Sequence, residues 1–484
     1  MFEASHPFAF FDYFRVPYEV RPAGTGPVHW LRATDSASGA APALLWLGGL
    51  AGRPAAGLLR RYRLGEATFF AHVAADRRVP DLLAGLGRGW RPAQPIMDGS
   101  GRVVASTWRD ADGGLFLPFD PGEAMALFWS ERYRQVGHLP MAAAARTAAI
   151  RAYYLARPAL PRPVQLRLRQ SFSHVQARPR FPGWPVEDGL HNLYRWLFAS
   201  IAGLAGRPVP YLSLWPGGRS WALVLTHDVE TLAGYSDMGL LREAERERGL
   251  RSSWNFVGQR YPVDAATVAA LAAEGCEVGV HGLRHDGRDL GSRRLLDRRL
   301  PAMRELAARW GAVGFRSPST QRSWDLMPRL GFDYDSSYSD TDPYEPQPGG
   351  CCTYLPYFNQ GLVELPITLP QDHTMFCVLN QPDADLWLRK ARHLRARQAM
   401  VLVLTHPDYA RDRRVTDGYR QLLDVARGDD TAWHALPREV AAWWRDRSAS
   451  AISRAGARFV IEGPAAARGR IRLATADTAG TAGF

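Results

Sequence analysis

Short apolar segments alternate with helical patterns from about residue 221 to residue 444, and this alternation constrains the fold more than any other feature of the sequence. Apolar runs of this length are typical of buried strands. The strand-like runs are 222–225, 253–257, 277–280, 313–315, 362–365 and 400–404. The helical patterns between them are 237–249, 264–275, 293–310, 383–396 and 416–427. Strands alternating with helices predict an α/β fold with a parallel sheet, either open or closed into a barrel.

Ionisable side chains follow these predicted strands at the point where each strand ends. The first run continues as "WALVLTHDVE", so it ends in charged residues rather than in turn residues. The groups at the strand ends are Asp228, Glu230, His281, His285, Arg316 and His406. Because the carboxyl ends of parallel strands share one face of the sheet, we expect these sequence-distant groups to converge there.

The segment "VHGLRHD" has the spacing of a metal-binding pair. His281 and His285 are separated by three residues, so both imidazoles can face one ion from a single turn. A carboxylate would complete a set of three ligands with open positions, as a hydrolytic ion requires. A helix-capping histidine beside a solvated one is the other interpretation. The acidic strand end favours a divalent metal, Zn²⁺ first, with Co²⁺, Mn²⁺ or Ni²⁺ as alternatives.

Five segments occur in the order of the conserved motifs of polysaccharide deacetylases with a NodB-homology domain. They are "LTHDVE", "VHGLRH", "GFRSP", "YDSSYSD" and "LVLTHP". The resemblance covers about residues 221–444. It implies an irregular (β/α) barrel with fewer than eight βα units, to which a separate α+β N-terminal domain is added here.

The resemblance also implies roles for the acidic strand end. Asp228 is similar to the aspartate base that activates water, and Glu230 to the acidic ligand that holds the metal with His281 and His285. The family's two acids are adjacent, whereas Val229 separates them here. Alternate residues of an extended segment share a side, so both carboxylates can face the site. The reverse assignment, with Asp228 as ligand and His227 or Glu230 as base, remains open.

Three further residues resemble catalytic groups of the family. Arg316 in "FRSP" is similar to the arginine that keeps the base ionised and oriented. His406 in "LTHP" is similar to the histidine that protonates the departing amine. Asp335 would be its carboxylate partner and would raise the pKa of that imidazole. An ordinary structural ion pair is the other interpretation of Arg316 and of Asp335.

Residues beyond these motifs are candidates for binding the substrate. The segment 340–376 is long, aromatic and rich in proline, and loops of this kind commonly shape access to a site. We expect Ser317, Tyr338, Asp372 and His373 to contact substrate, with Tyr338 as a stacking face for a sugar ring and Asp372 and His373 near a sugar hydroxyl. Packing for the tyrosine, and a surface turn for the last two residues, are the alternatives.

Composition and periodicity divide the chain into four parts. Residues 1–156 show strand runs with turns and later helical periodicity, including a helix at 140–156, which indicates an α+β domain of unknown role. Residues 157–219 form a linker rich in proline and arginine followed by a helix at 186–206. Residues 220–447 hold the predicted barrel. Residues 448–484 contain two strand-like segments, "RFVIEG" and "RIRLATA", which we expect to pair as a hairpin.

Charge and hydropathy limit the classes of binding partner and the cellular location that the sequence predicts. Lys and Arg total 60 against 48 acidic residues, giving a net charge of +12, but the arginines alternate with acids along predicted helices. This pattern is typical of solvated helix faces, so we expect no nucleic-acid partner, while peripheral contact with an anionic membrane is compatible with the charge. The sequence has neither a signal-peptide pattern at residue 1 nor an apolar run of membrane-spanning length, which predicts a cytoplasmic protein.

These observations predict a metal-dependent hydrolase that removes an N-acyl group, N-acetyl foremost, from an amino sugar used in surface polysaccharide biosynthesis. The same metal chemistry would serve a hydrolase of another C–N bond, in a formamide or a cyclic amide. A third hypothesis is a non-catalytic relative that binds glycan.

Overall fold

The computed structural model describes residues 2–4, 9–21, 27–33, 42–48, 59–136, 170, 181–456 and 458–476. The chain forms two compact units, one from residues 1–137, 188–218 and 446–484, the other from residues 138–187 and 219–445. The predicted helix at 140–156, and most of the linker before residue 181, lie outside the described residues. The domain boundaries at residues 156, 219 and 447 stay predictions.

The first unit contains a mixed nine-stranded sheet. Its strands are β1 (Phe2–Ala4), β2 (Tyr18–Val20), β3 (Val28–Ala33), β4 (Ala43–Leu47), β5 (Leu59–Leu64), β6 (Ala67–His72), β7 (Arg91–Asp98), β8 (Val103–Arg109) and β9 (Leu115–Leu117). The strand order is β2-β1-β3-β4-β9-β8-β7-β5-β6. All neighbours are antiparallel except β1 with β2 and β4 with β9.

Helices of this unit pack against the sheet. They are α1 (Ala9–Phe14), α2 (Val79–Leu82), α3 (Pro121–Trp129) and α4 (Gly189–Ala205), and strand β10 (Val209–Leu212) follows. Leu45, Leu47, Val79 and Phe116 belong to one buried cluster between strands and helix. The strand-rich pattern predicted for the first part of the chain is therefore present, and α4 occupies the helical pattern predicted at 186–206.

The second unit repeats the alternation read from the sequence. Its strands are β11 (Trp221–Val229), β12 (Ser253–Phe256), β13 (Glu277–Val280), β14 (Gly314–Phe315), β15 (Tyr334–Asp335), β16 (Tyr357–Asn359), β17 (Leu362–Glu364), β18 (Met400–Thr405) and β19 (Ala432–His434). Its helices are α5 (Leu232–Arg246), α6 (Ala265–Ala273), α7 (Arg293–Trp310), α8 (Asp385–Ala396) and α9 (Arg413–Asp424), and α10 (Pro437–Ser448) follows.

These strands form an irregular barrel. The order is β16-β17-β15-β14-β13-β12-β11-β18, with β19 also paired to β11, and every pair is parallel except β16 with β17. After β17 the chain runs beside β18, where the N–H groups of Thr368 and Leu369 both donate to the carbonyl of Leu402 at 3.1 and 3.2 Å. This contact joins the two ends of the sheet. The fold class is α/β, with an irregular (β/α) barrel and a separate α+β unit, as predicted.

Burial explains why β11 and β18 read as continuous apolar runs. All nine residues of β11 and all six of β18 are buried, because parallel strands are covered on both faces. Helix α5 begins five residues before the predicted helical pattern, since Thr231 accepts a hydrogen bond from the N–H of Gly234 and caps its first turn. The site residues that follow β11 are thus fixed between a buried strand and a capped helix.

The end of the chain differs from the predicted hairpin. β20 (Ala451–Ala455) pairs with β21 (Arg458–Glu462), whereas β22 (Ile471–Ala474) pairs with β10. The two segments expected to pair with each other therefore have other partners, because the segment before "RFVIEG" lies next to it in sequence and forms the tighter hairpin. None of the helices that the structure describes has the length and apolar character that crossing a membrane requires.

Candidate active site

The ionisable residues predicted at the strand ends lie at the carboxyl end of the barrel. Asp228 is the next-to-last residue of β11, and Glu230 follows that strand directly. His281 follows β13, Arg316 follows β14 and His406 follows β18 in the same way. Because these strands are parallel neighbours, their side chains meet at one edge.

Glu230, His281 and His285 form the cluster predicted to hold a metal. One ligand atom of each lies within 4.8 Å of the others. Nε2 of His285 is 2.9 Å from Oε1 of Glu230. Nδ1 of His281 donates to the backbone carbonyl of Arg316 at 3.1 Å, which leaves Nε2 as a buried ring nitrogen with no hydrogen-bond partner among the described residues. An unpaired nitrogen aimed at a carboxylate and a second imidazole fits a divalent cation.

The electrostatics of the cluster favour the protonation states that a metal ligand needs. Burial lowers the pKa of His281 to about 4, so its imidazole is neutral at pH 7. Burial alone would raise the pKa of Glu230, but His285, His406 and His281 hold it well below its usual range. The set therefore offers two imidazoles and one carboxylate to an ion, with Glu230 the most exposed of the three side chains at 22%.

Asp228 is buried beside this cluster among positive groups and donors. Asn255 donates to its Oδ1 at 2.8 Å, and Nη1 of Arg316 lies 3.5 Å from the same atom. Burial would raise the pKa of Asp228, yet His281, Arg316 and His406 lower it below the ordinary value. The fork of Arg316 is itself fixed by Thr226 and Ser336, whose hydroxyls accept from it at 3.0 and 2.7 Å. Asp228 is thus an ionised carboxylate in a defined orientation.

His406 has a different carboxylate partner from the one we predicted. Its Nδ1 lies 2.6 Å from Oδ1 of Asp372, and its Nε2 points toward Glu230 at 3.8 Å. Burial alone would lower the pKa of His406, but Asp372 raises it to about 10. His406 is therefore protonated at neutral pH, and the prediction that Asp335 pairs with it is wrong.

Asp335 lies at the end of β15 in a different network. Its carboxylate accepts from the hydroxyl and the N–H of Ser337, both at 2.7 Å. Burial raises the pKa of Asp335 to about 6, and burial together with Asp335 raises that of Glu364 well above its usual range. Asp335 is thus a buried acid that orients Ser337, whose hydroxyl also accepts a hydrogen bond from the N–H of Ser317.

The predicted substrate residues have mixed placements. Tyr338 is 1% exposed and lies under the guanidinium of Arg322 at 5.5 Å, so it offers no face to a sugar. Asp372 is fully buried against His406 and cannot reach a sugar hydroxyl. Ser317 is buried, and its N–H donates to Ser337 at 2.8 Å. His373 is half-buried, and its ring centre lies 5.3 Å from that of Tyr409. Its contact with substrate stays a prediction.

His227, the alternative base, faces away from the cluster. Its Nε2 lies 2.6 Å from Oε1 of Glu245, its Nδ1 lies 2.8 Å from the hydroxyl of Thr405, and its ring is fully buried on Trp254. Successive residues of a strand point to opposite faces, which places His227 behind the sheet when Asp228 is in front. Both ring nitrogens of His227 are thus engaged with Thr405 and Glu245, so neither can accept a proton from water at the site.

Two residues that contact Asp228 or Glu230 directly are absent from the sequence predictions. Asn255 on β12 donates a hydrogen bond to Asp228. The sequence feature that could have identified it is a polar amide within a buried strand. Asp408 accepts from the backbone N–H of Glu230 at 3.0 Å and from the hydroxyl of Thr231. The sequence feature that could have identified Asp408 is its position two residues after His406, next to the motif "LTHP".

No family model and no curated protein sequence matches the chain. Among solved structures it is similar to a protein assigned as a polysaccharide deacetylase from Mycobacterium smegmatis, with 19% identity and a TM-score of 0.41 over 51% of this chain and 97% of that one. A protein with the same assignment from Pseudomonas aeruginosa PAO1 is 18% identical, with a TM-score of 0.39 over 50% of this chain and 97% of that one. An allantoinase is 18% identical, with a TM-score of 0.36 over 50% of this chain and 96% of that one. Each of these alignments covers about half of this chain, and the remainder is unmatched in them.

Proposed function

We propose that this protein is a metal-dependent hydrolase that removes an acyl group from the nitrogen of an amino sugar. The observation that carries the proposal is the convergence of Glu230, His281 and His285 beside the ionised carboxylate of Asp228 and the protonated imidazole of His406. A ligand set, a base and an acid are the three parts that hydrolysis of an amide requires.

Glu230, His281 and His285 would hold the divalent ion, Zn²⁺ being the first choice for two imidazoles and one carboxylate. When bound, such an ion polarises an acyl carbonyl and makes a water molecule more acidic. Asp408 keeps the Glu230 segment in place through the backbone N–H, and the carbonyl of Arg316 fixes the tautomer of His281. These contacts orient the ligands before any ion arrives.

Asp228 is the proposed base. Its carboxylate is ionised at neutral pH, and it accepts one hydrogen bond from Asn255, which leaves capacity on Oδ2 for a proton from the attacking water. Arg316 lies 3.5 Å away and keeps the charge in place without a direct hydrogen bond to it. A base with a pKa far below neutrality is ionised in every turnover, so its occupancy does not limit the rate.

His406 is the proposed acid. An amine leaves poorly as an anion, so cleavage of the C–N bond needs a proton delivered to nitrogen. With Asp372 at Nδ1, the proton on Nε2 of His406 is directed toward Glu230. Asp372 acts through His406, and Asp335 has no part in this step.

The substrate class follows from the motif resemblance together with this division of roles. An N-acetylated amino sugar combines an amide carbonyl, an amine leaving group and hydroxyls that polar loops can recognise. A place in surface polysaccharide biosynthesis, and a cytoplasmic location, belong to the same proposal.

The test uses the full-length protein, stripped with a chelator and reconstituted with Zn²⁺, Co²⁺, Mn²⁺ or Ni²⁺. Acetate release from N-acetylated amino sugars should appear only with metal, and Asp228→Asn and His281→Ala should each lower kcat by about 100-fold or more. His434→Gln is the matched control, because His434 lies on β19 at the opposite end of β11 and should leave the rate unchanged.

Three outcomes would redirect the proposal. Turnover of a formamide or a cyclic amide without acetate release would move the substrate to another C–N bond. Full activity in His281→Ala would remove the metal site from the reaction. Binding of glycan with no hydrolysis under any metal would leave a binding protein.

A further inference from the structure

The loop that carries His285 has an unusual backbone. Gly282 has φ of +64°, and a Cβ there would lie 2.4 Å from Oδ2 of Asp289 and 2.6 Å from Pro318. His285 itself has φ of +52°, a conformation that residues with a side chain rarely adopt. Such a backbone persists only where surrounding contacts determine it. The position of His285 therefore depends on what fixes this loop.

Two carboxylates of the loop are fixed by one guanidinium. Asp289 is 1% exposed; its Oδ2 accepts from the N–H of Leu283 at 3.1 Å, and its Oδ1 accepts from Nη1 of Arg299 at 2.5 Å. Arg299 also donates through Nη1 and Nη2 to the two oxygens of Asp286, at 2.8 and 2.6 Å. Asp286 is the residue directly after His285. The guanidinium of Arg299 thus binds the chain at Asp286 and at Asp289, both on the C-terminal side of His285.

Helix α7 supplies a rigid base for that fork. Its buried face includes Leu296, Leu300 and Met303, and Ser292 caps its first turn through the N–H of Leu295. Arg299 lies on the same buried face, 8% exposed, one residue before Leu300. A planar fork with two carboxylates fixes both distance and direction, which a single-point contact does not.

We propose that Arg299 is a positioning residue that sets the metal affinity of the site by holding the His285 loop in the conformation that a divalent ion requires. The inference rests on the proposed function, since it needs Glu230, His281 and His285 to bind an ion. Arg299 touches no ligand atom and acts only through Asp286 and Asp289. Loss of such supporting contacts weakens metal binding by about 10- to 100-fold in other metal sites.

The test measures Zn²⁺ affinity of the full-length apoprotein by competition with a chromogenic chelator. Arg299→Met keeps the length of the side chain and removes the fork, and we expect Kd to rise at least tenfold. Arg299→Lys should recover part of this loss, because it keeps the charge but not the paired geometry. Arg309→Met is the matched control, since Arg309 lies on the same helix in an exposed pair with Glu305 and should leave Kd within about twofold.

A second variant covers the case in which Arg299→Met does not fold. Asp286→Asn removes the bidentate partner, which is 32% exposed, and leaves the buried pair of Arg299 with Asp289 intact. It should weaken Zn²⁺ binding while the far-UV circular dichroism of the apoprotein stays unchanged. Unchanged affinity in Asp286→Asn and in every folded Arg299 variant would overturn the inference alone. A wild-type protein that binds no Zn²⁺, Co²⁺ or Mn²⁺ would overturn the proposed function together with it.

Discussion

Asp372 contacts both the side chain and the backbone of His406. Oδ1 lies 2.6 Å from Nδ1 of the imidazole, and Oδ2 accepts from the N–H of His406 at 2.7 Å. A carboxylate with two contacts to one residue fixes the ring rotamer and the ring charge together. Asp372 and His406 are 34 positions apart in the sequence, with helix α8 between them, so only the closed barrel brings the pair together.

Replacement of Asp372 tests this relationship through the pH profile. Asp372 raises the pKa of His406 against the effect of burial, so Asp372→Asn should lower that pKa and move the alkaline limb of kcat to lower pH. We also expect kcat to fall by about 100-fold at neutral pH, since less of the acid is protonated. An alkaline limb that stays in place in Asp372→Asn would show that His406 does not supply the proton.

Asp335→Asn should separate the two candidate partners. Asp335 contacts Ser337 and Glu364, whereas the partner of the His406 imidazole is Asp372. Its replacement should leave the alkaline limb of kcat where it is and lower the melting temperature, because a buried hydrogen-bonded carboxylate is disturbed. The measurement is the same pH profile together with a thermal melt. A limb that moves in Asp335→Asn and not in Asp372→Asn would return Asp335 to the role that the motif order suggested.

Glu277 should make stability depend on pH. Burial raises its pKa to about 7, against 4.5 for the free side chain, while Tyr334 donates to Oε1 at 2.7 Å. Because the folded pKa is the higher one, the stabilisation is complete below pH 4.5 and is lost as pH rises toward 7, a change on the order of 3 kcal/mol. In Glu277→Gln this loss is absent. The melting temperature of the variant minus that of wild type should therefore be more positive at pH 8 than at pH 5, and an equal difference at both values would contradict the assignment.

The network behind β11 should be structural. Glu245 accepts from Tyr419 and Ser252, each at 2.6 Å, and contacts Nε2 of His227 at the same distance. His227→Ala leaves a buried carboxylate without one partner and should cost about 3 to 5 kcal/mol. Tyr419→Phe removes one donor of three and should cost about 1 to 3 kcal/mol. Chemical denaturation measures both. Loss of turnover in a folded His227→Gln protein, with its melting temperature unchanged, would instead favour His227 as the base.

Local sequence patterns predicted much of the architecture. The spacing of apolar runs places β11, β12, β13, β14, β17 and β18, and the alternating helices follow because period and length are local properties. β15, β16 and β19 have two or three residues each and were not predicted. A strand this short has no periodic signal of its own, and the equally short β14 and β17 were predicted only from the apolar runs at 313–315 and 362–365. The strand-end argument likewise placed Glu230, His281 and His285 together, since parallel strands fix which ends meet.

Tertiary structure decided the contacts that no local pattern encodes. The partner of His406 is Asp372 because the chain after β17 runs beside β18, through Thr368 and Leu402, and this closure delivers the following loop to the end of β18. The pairing of β22 with β10 and the burial of Tyr338 depend in the same way on which surfaces meet. Local sequence established that strands and helices alternate and which ionisable groups follow each strand. Packing of distant segments alone decided which carboxylate reaches which imidazole.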